Sequence, residues 1–279
     1  MNTGCSTSFK YSYESNEGPV YTGDYRTVNY SVDTSSTIKV ISYNIEFANN
    51  FNEAIELLNT KPLSSFDVLL LQEMDEVSTD SIARALGCTY VYYPSINHPG
   101  QRKMVGNAIL SKWKIMSHYK VKLPHPSIYP VLKDMRIYKF RKLATVAIIN
   151  VNGDPIKFYS MHGAAFNTSK ARKNIAAAIA DDVNIYDTKV IVGGDFNTVG
   201  YGDIQSTLQP FLNKGFKWAS EDVGKTIHHR RWMVSFFKDK AFQADHLFIR
   251  GYEVVQCGKI VNRNISDHYP IWVELKHSD

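Results

Sequence analysis

The chain has 279 residues, enough for one large domain with a sizeable core or for two small ones. Apolar residues make up 44% and charged residues 21%, an ordinary globular balance, and no apolar run approaches the roughly 18 residues of a membrane-spanning helix. Lys and Arg number 32 against 27 for Asp and Glu; the resulting charge of +5 suits an anionic partner, nucleic acid or an anionic membrane surface, without deciding between them.

Residues 1–37 are rich in Ser, Thr, Tyr, Asn and Gly and lack apolar periodicity, so they read as a linker or an arm lying on the domain. Within them Met1-Asn-Thr-Gly-Cys5-Ser resembles the end of a bacterial lipoprotein signal without its apolar stretch. That points to an exported or lipid-anchored protein; a chance cysteine in a tail, and a cytoplasmic protein, is the other reading. The domain proper is expected over 38–279. Ile38–Tyr43 reads as a strand, Phe51–Asn59 as a helix, Asp67–Leu71 as a buried strand and Ser78–Leu86 as a helix with Ser78 as its N-cap. Tyr90–Tyr93, Ala108–Ser111, Leu143–Asn150 and Ile156–Met161 follow as strands, the last two joined as a hairpin through Asn152-Gly153-Asp154. Ser169–Asn184 is the strongest helix, with Ile175, Ala176, Ile179 and Val183 on one face. Lys189–Val192 is a strand, Asp203–Leu212 a helix, and Phe242–Arg250, Val254–Ile260 and Ile271–Leu275 close the domain as strands. So many strands with few helices between them predict sheets packed on each other with helices outside. A doubly wound parallel sheet is disfavoured, because several connections are too short for a helical crossover. Cys88 and Cys257 sit in apolar surroundings and read as buried thiols, with one bridge between them as the alternative; there is no Cys-x-x-Cys pair.

Polar residues recur where these strands end: Asn44, Glu73, His162, Asp195 with Asn197, Asp245, and Asp267 with His268. Oxygen-rich ligands without paired cysteines suit a hard cation, Mg²⁺ or Mn²⁺, rather than structural zinc. Each residue has a plainer reading. Glu73 could open a solvated loop, Gly193–Thr198 could be a turn with a helix cap, Ser266-Asp267-His268 could be a turn before the last strand, and His162 could be a hydrogen-bonded core histidine. Taken jointly the plain readings lose force. Asp195 and Asn197, two apart in extended chain, point to the same side and offer a carboxylate and an amide to one ligand.

The stretches Ser42-Tyr-Asn44-Ile, Leu71-Gln-Glu73, Gly106-Asn107-Ala-Ile-Leu-Ser111, Ser160-Met-His162, Gly194-Asp195-Phe-Asn197, Ala244-Asp245-His-Leu-Phe248 and Ser266-Asp267-His268 resemble the endonuclease/exonuclease/phosphatase family with the deoxyribonuclease I-like fold. They occur in the family's order and span residues 38–276. The resemblance implies an α/β four-layer sandwich, two mostly antiparallel sheets face to face with helices outside, and a metal and phosphate site at one end. It implies a divalent-metal-dependent phosphoester hydrolase.

On that footing Glu73, with Asn44 and Asp267, is expected to hold the metal, which would polarise a phosphoryl oxygen. Asp195 is expected to orient or deprotonate the attacking water, and Asn197 to hydrogen-bond the phosphate as a neutral amide. His268 suits general acid–base work. Its orienting carboxylate should be Asp245 rather than Asp267, since adjacent side chains in extended chain point opposite ways. His162 would meet the scissile phosphate from the other side, and Asn107 would support the site. The histidine at 162 makes the chain look more like the deoxyribonuclease I, inositol-phosphatase and sphingomyelinase branches.

The substrate side rests on Lys225–Lys240, KTIHHRRWMVSFFKDK, whose His228, Arg230, Arg231 and Trp232 set cations beside aromatics, and on Arg102 and the basic stretch Lys133–Lys142. Cations beside aromatics suit nucleic acid through phosphate contact and base stacking, and equally a membrane interface; an ordinary strand pair with a charged turn is the plain alternative. The expectation is a phosphodiesterase or nuclease. A phosphatase or phospholipase C-like enzyme on sphingomyelin or an inositol phosphate is the alternative, and a non-catalytic binding module the third reading. No obligate protein partner is evident, and a monomer is expected.

Overall fold

Strand β1 (Tyr21–Asp24) apart, the domain opens with β2 (Ile38–Asn44), and its burial explains the layer order. Val40 packs with Leu70, Ile109, Phe158, Ile191 and Leu247 between two sheets, while its neighbour Ile41 faces the other way, with Leu58, Leu69 and Ile82. Successive strand residues point to opposite faces, so the adjacent apolar residues Val40 and Ile41 place β2 with both faces buried. The computed structural model describes residues 18–27, 37–98, 100–131, 136–164, 167–228 and 242–278.

After β2 come α1 (Phe51–Leu58), β3 (Val68–Met74), α2 (Glu76–Leu86), β4 (Thr89–His98) and β5 (Lys103–Ser111). The long strands β6 (Ile115–Val131) and β7 (Arg136–Val151) lead to β8 (Asp154–His162), α3 (Ser169–Asp182), β9 (Val190–Asp195) and α4 (Tyr201–Asn213). The short β10 (Lys217–Trp218), then β11 (Asp245–Arg250), β12 (Tyr252–Lys259) and β13 (Ile271–His277), complete the chain. One sheet runs β1-β4-β5-β3-β2-β13-β12, the other β10-β11-β9-β8-β7-β6. Among the described residues β2–β3 and β8–β9 pair in parallel and the other strand pairs are antiparallel. Helices α1 and α2 bury Ala54, Leu58, Ile82 and Leu86 on the outside of the first sheet; α3 and α4 bury Ile175, Ile179, Leu208 and Phe211 on the outside of the second. The expected four-layer α/β sandwich is the architecture found.

Local readings differ from the structure at several points. The N-cap of α2 is Asp75, whose carboxylate accepts the Ser78 N–H at 2.8 Å; Ser78 itself lies inside the helix. An acidic cap satisfies an orphan N–H directly after the strand end, leaving no room for a longer connection. Strand β6 has no counterpart among the sequence-read strands: its lysines and prolines mask the alternation that places Tyr119, Val121 and Leu123 against the α3 layer. Part of the arm, β1, adds to the sheet edge beside β4. Cys88 and Cys257 are free thiols, the first buried and the second half-buried; Cys5 lies outside the described residues. No helix among the described residues is long and apolar enough to cross a membrane.

Candidate active site

The site lies at one end of the sandwich, where residues from both sheets meet. Strand register does most of the placing. His162 at the end of β8 pairs with Asp195 at the end of β9, and Asp195 pairs in turn with Asp245 at the start of β11. In the facing sheet Asn44 pairs with Gln72, next to Glu73. Strand β9 can come this close to β8 because residue 194 is glycine: it has φ +152, and a Cβ there would stand 1.9 Å from the Met161 carbonyl oxygen. Glu73 and Asn197 adopt left-handed backbone, with φ 57 and 55. Both depart from plain strand geometry where a side chain must turn toward the cavity, a form of local strain that clusters at functional sites. At Glu73 the β3–β5 register shifts between Leu71 and Met74. The bulge leaves Gln72 pointing between the sheets, where it donates to Ser160 Oγ at 3.0 Å, and frees Glu73 to face the site.

Asp195 is the hub. Its Oδ2 accepts from Asn44 Nδ2 and from Asn197 Nδ2, each at 3.1 Å, and its Oδ1 accepts the Asn197 N–H at 2.8 Å. His162 Nε2 stands 3.4 Å from Oδ2 on one side and His268 Nε2 3.7 Å on the other. His268 Nδ1 is 2.8 Å from Asp245 Oδ2, the pairing that strand alternation favours over Asp267. Glu73 Oε2 accepts the Phe47 N–H at 3.1 Å. Lys142 Nζ lies 3.1 Å from His162 Nδ1. An ammonium can only donate, so His162 Nδ1 accepts and its Nε2 carries the hydrogen, aimed toward Asp195.

Burial drives the electrostatics. It pushes the Asp195 carboxyl up, against the opposing His268 charge and with Asp245 adding to the rise, to about 7. It pushes Glu73 up as well, Lys142 and His268 opposing and Asp267 reinforcing. His162 is held well below the ordinary imidazole range by burial, with Lys142 and His268 adding to the effect, and is neutral. Burial works against a charged His268 too, but the Asp245 and Asp195 carboxylates outweigh it and hold its pKa well above the usual value. Burial lowers Lys142, with Glu73 and Asp195 resisting. The site thus carries one neutral and one cationic imidazole about one carboxylate.

Glu73, Asp267, Glu46, Asp195, Asn197, His162 and His268 line a cavity of about 460 Å³. The Glu73 carboxylate, pushed up by burial and in part by Asp267, sits among oxygen donors with no thiolate on the cavity wall, a set that fits a hard divalent cation. Glu73 and Asp267 are residues that could hold it. Asn44, the third residue expected to hold the metal, is already hydrogen-bonded: its amide donates to Asp195, and its Oδ1 accepts the Glu46 N–H at 3.1 Å. Asp195, Asp245 and His268 also offer ligand atoms within 4.8 Å of one another. There, however, the imidazole is already engaged between two carboxylates as a donor, which suits proton chemistry better than coordination.

The structure brings together eight of the residues singled out in the sequence: Asn44, Glu73, His162, Asp195, Asn197, Asp245, Asp267 and His268. It does not bring Asn107 to the cavity wall; its amide donates to the Leu143 carbonyl at 2.6 Å and its carbonyl accepts from Thr145 Oγ1, tying the two sheets together. Arg102 is exposed in the turn between β4 and β5 and does not line the cavity. His228 lies beside it, stacked on Tyr269 with ring centroids 5.5 Å apart, and its neighbour Ile227 forms part of the wall. Arg230, Arg231 and Trp232 lie outside the described residues. Lys142 emerges as a wall residue that its sequence context, one lysine in a basic stretch, did not distinguish. Its only local sign is the two-residue spacing from Phe140, which puts both on one side of β7.

Carboxylates, amides and two differently charged imidazoles around one cavity, at the end of a four-layer sandwich, define the class of phosphoester hydrolases. The sequence matches the model of the Endonuclease/Exonuclease/phosphatase family over residues 41–268, and the chain belongs to that family, whose members usually use a divalent metal. A comparison with curated proteins gives no match. Among solved structures, a family protein from Bacteroides thetaiotaomicron is 17% identical with a TM-score of 0.66, over 88% of this chain and 99% of that one. A mannosyl-6-phosphatase from the same organism is 17% identical with a TM-score of 0.63, over 85% and 99%. D. rerio TDP2, complexed with a single-strand DNA product, is 15% identical with a TM-score of 0.60, over 87% and 100%. At these identities the likeness is one of fold.

Proposed function

We propose that this chain is a divalent-cation-dependent phosphodiesterase that cleaves nucleic acid. The charge inventory of the cavity carries the reading. Glu46, Glu73, Asp195 and Asp267 oppose Lys142, Arg172 and the charged His268 on its wall, and Arg172 is already paired with Asp203 at 2.7 Å. With Arg172 set aside as Asp203's partner, one divalent cation brings this set to formal neutrality. A site without excess positive charge matches the single charge of a diester better than the double charge of a monoester. The chain's overall charge of +5 favours a polyanionic substrate.

A divalent cation held by Glu73 and Asp267 would supply charge stabilisation to the phosphoryl group. The chain's own residues do the rest. Asp195, ionised, takes the proton of the attacking water as the new O–P bond forms and the ester P–O bond breaks. His268, cationic and clamped by Asp245, faces the charge that develops on the phosphoryl group. Asn197 and His162 Nε2–H donate to the phosphate without adding negative charge. The leaving alkoxide takes up a proton, for which Lys142 is the cation at hand.

The test is hydrolysis in Mg²⁺ of plasmid DNA, RNA, bis-p-nitrophenyl phosphate, sphingomyelin and inositol phosphates, with Asp195→Ala as control. Turnover of the nucleic acids and the aryl diester, absent in the variant, is expected. Turnover confined to inositol phosphates or sphingomyelin would replace this reading by a phosphatase or a phospholipase C-like one.

A further inference from the structure

Beside the ion-lined part of the cavity lies an apolar one. Ile96, Val105 and Phe140 form a small buried cluster separate from the three large cores, with Phe47 packed against it, and all four line the cavity. His98 completes the ring of side chains. Its imidazole centroid is 5.0 Å from that of Phe47 and 6.1 Å from that of Phe140. Burial, with Lys142 adding to it, lowers His98 to about 4, so at neutral pH the cup presents an uncharged aromatic wall. Its place relative to the chemistry follows from two links. The Phe47 N–H holds Glu73, and Phe140 shares its side of β7 with Lys142. The cup therefore abuts the Glu73–Lys142 side of the site, away from the His268–Asp245 pair. If water is delivered from the Asp195–His268 side, in-line displacement puts the departing ester group toward the cup.

We propose that this cup is a subsite for one unpaired nucleobase, carried by the nucleoside on the leaving side of the scissile phosphate. The inference rests on the phosphodiesterase reading and narrows it to single-stranded or unstacked substrate. Three aromatic rings around an apolar floor suit a planar ring, and base–aromatic stacking tolerates any base. Ile96, Val105 and Phe140 close the floor, each no more than 3% exposed, which gives a base a seat and an acyl chain no channel. A cavity of about 460 Å³ lies toward the small end of the roughly 300–1,000 Å³ usual for ligand sites. It has room for a phosphoryl group and one ring system. A base enters only after leaving its stack. Lys103 braces the wall, since its ammonium binds the Phe47 carbonyl and the Asp75 carboxylate.

The full chain in Mg²⁺ is given a thymidine dinucleotide and its analogue with an abasic tetrahydrofuran on the leaving side. A single-stranded oligonucleotide, the same strand in a duplex, sphingomyelin in mixed micelles and p-nitrophenyl phosphate complete the panel. The abasic analogue is expected to lose about tenfold or more in kcat/KM, as for one lost stack, and the duplex to be cut more slowly than the single strand. Phe47→Ala, which empties one wall, and Val105→Phe, which fills the cup, should bring the base-to-abasic ratio toward one. The wild-type ratio needs no variant and stands even if one fails to fold. Equal rates on the two dinucleotides, or on duplex and single strand, overturn the subsite while leaving the phosphodiesterase reading intact. Preference for sphingomyelin, lost in Val105→Phe, assigns the cup to an apolar chain instead and overturns the proposal. Metal-dependent turnover of p-nitrophenyl phosphate with none of any diester overturns the phosphodiesterase reading itself, and the subsite with it.

Discussion

His268 Nδ1 lies 2.8 Å from Asp245 Oδ2, while its Nε2 faces Asp195 Oδ2 at 3.7 Å, so one imidazole joins two carboxylates that are themselves cross-strand partners. The pairing fixes both the orientation and the charge of the ring. Asp245 stabilises the imidazolium at one nitrogen, and Asp195 faces the other.

His268→Ala is expected to lower kcat by about 10²–10⁴, the usual contribution of a positioned proton-transfer group. Asp245→Asn should cost less and should also move the pH profile. With Asp195 raised to about 7, activity should rise with pH through that region as the carboxylate ionises. It should fall at alkaline pH as His268, whose pKa is raised, gives up its proton. Removing the Asp245 charge lowers the His268 pKa, so the alkaline limb shifts to lower pH. The two limbs belong to the coupled set rather than to single residues. Steady-state kcat/KM from pH 5 to 10 decides this; an unmoved alkaline limb in Asp245→Asn removes the pairing from the mechanism.

Chelation should abolish hydrolysis, and Mg²⁺ or Mn²⁺ should restore it. Glu73→Gln keeps the Phe47 N–H contact but removes a charge, so it should raise the metal concentration needed for half-activity by about tenfold or more. Titration of activity with Mg²⁺ in the two proteins measures it. Hydrolysis that persists in EDTA sinks the metal assignment.

Lys142→Met should lower kcat by about 10²–10³-fold, in line with the loss of one electrostatic donor, while the fold survives. The variant leaves His162 Nδ1 without its donor, which frees the ring to take the other tautomer. Lys142→Arg should recover part of the rate, because it restores the charge. Circular dichroism alongside the kinetics separates lost chemistry from lost fold. A Met variant with normal turnover would make Lys142 a wall residue only.

Gly194→Ala should be among the most damaging small substitutions in the chain. Its Cβ would meet the Met161 carbonyl oxygen at 1.9 Å, and its φ of +152 is costly for any L side chain. A loss of roughly 2–4 kcal/mol is expected from backbone displacement and strain. Urea unfolding of the variant reads it, and a change within 0.5 kcal/mol of wild type contradicts the close β8–β9 approach.

Much of the site was readable along the chain because its residues sit at strand ends, where an apolar run stops and a carboxylate, amide or imidazole begins. Asn44 closing β2, His162 closing β8 and Asp195 closing β9 all have that form. The His268–Asp245 contact followed from alternation, since Asp267 and His268 must point apart. Local pattern also sufficed for both parallel-strand runs, for α3 and for the β7–β8 hairpin. It failed for β6, whose lysines and prolines hide a long edge strand, and for Asn107, whose motif looked like a site but whose amide ties the sheets together.

Tertiary structure decided what spacing cannot encode. Lys142 reaches His162 only because β7 and β8 pair in one register, and a shift of one residue would turn it to the other face. Phe47, Ile96, His98, Val105 and Phe140 come from four separate segments, so no local pattern announces the cup. The charges of the two histidines are likewise a property of the assembled site: the same side chain is neutral at 162 and cationic at 268 because different groups face it. Residue type and strand alternation determined which chemistry was at hand; burial and strand register determined which group holds which proton, and where.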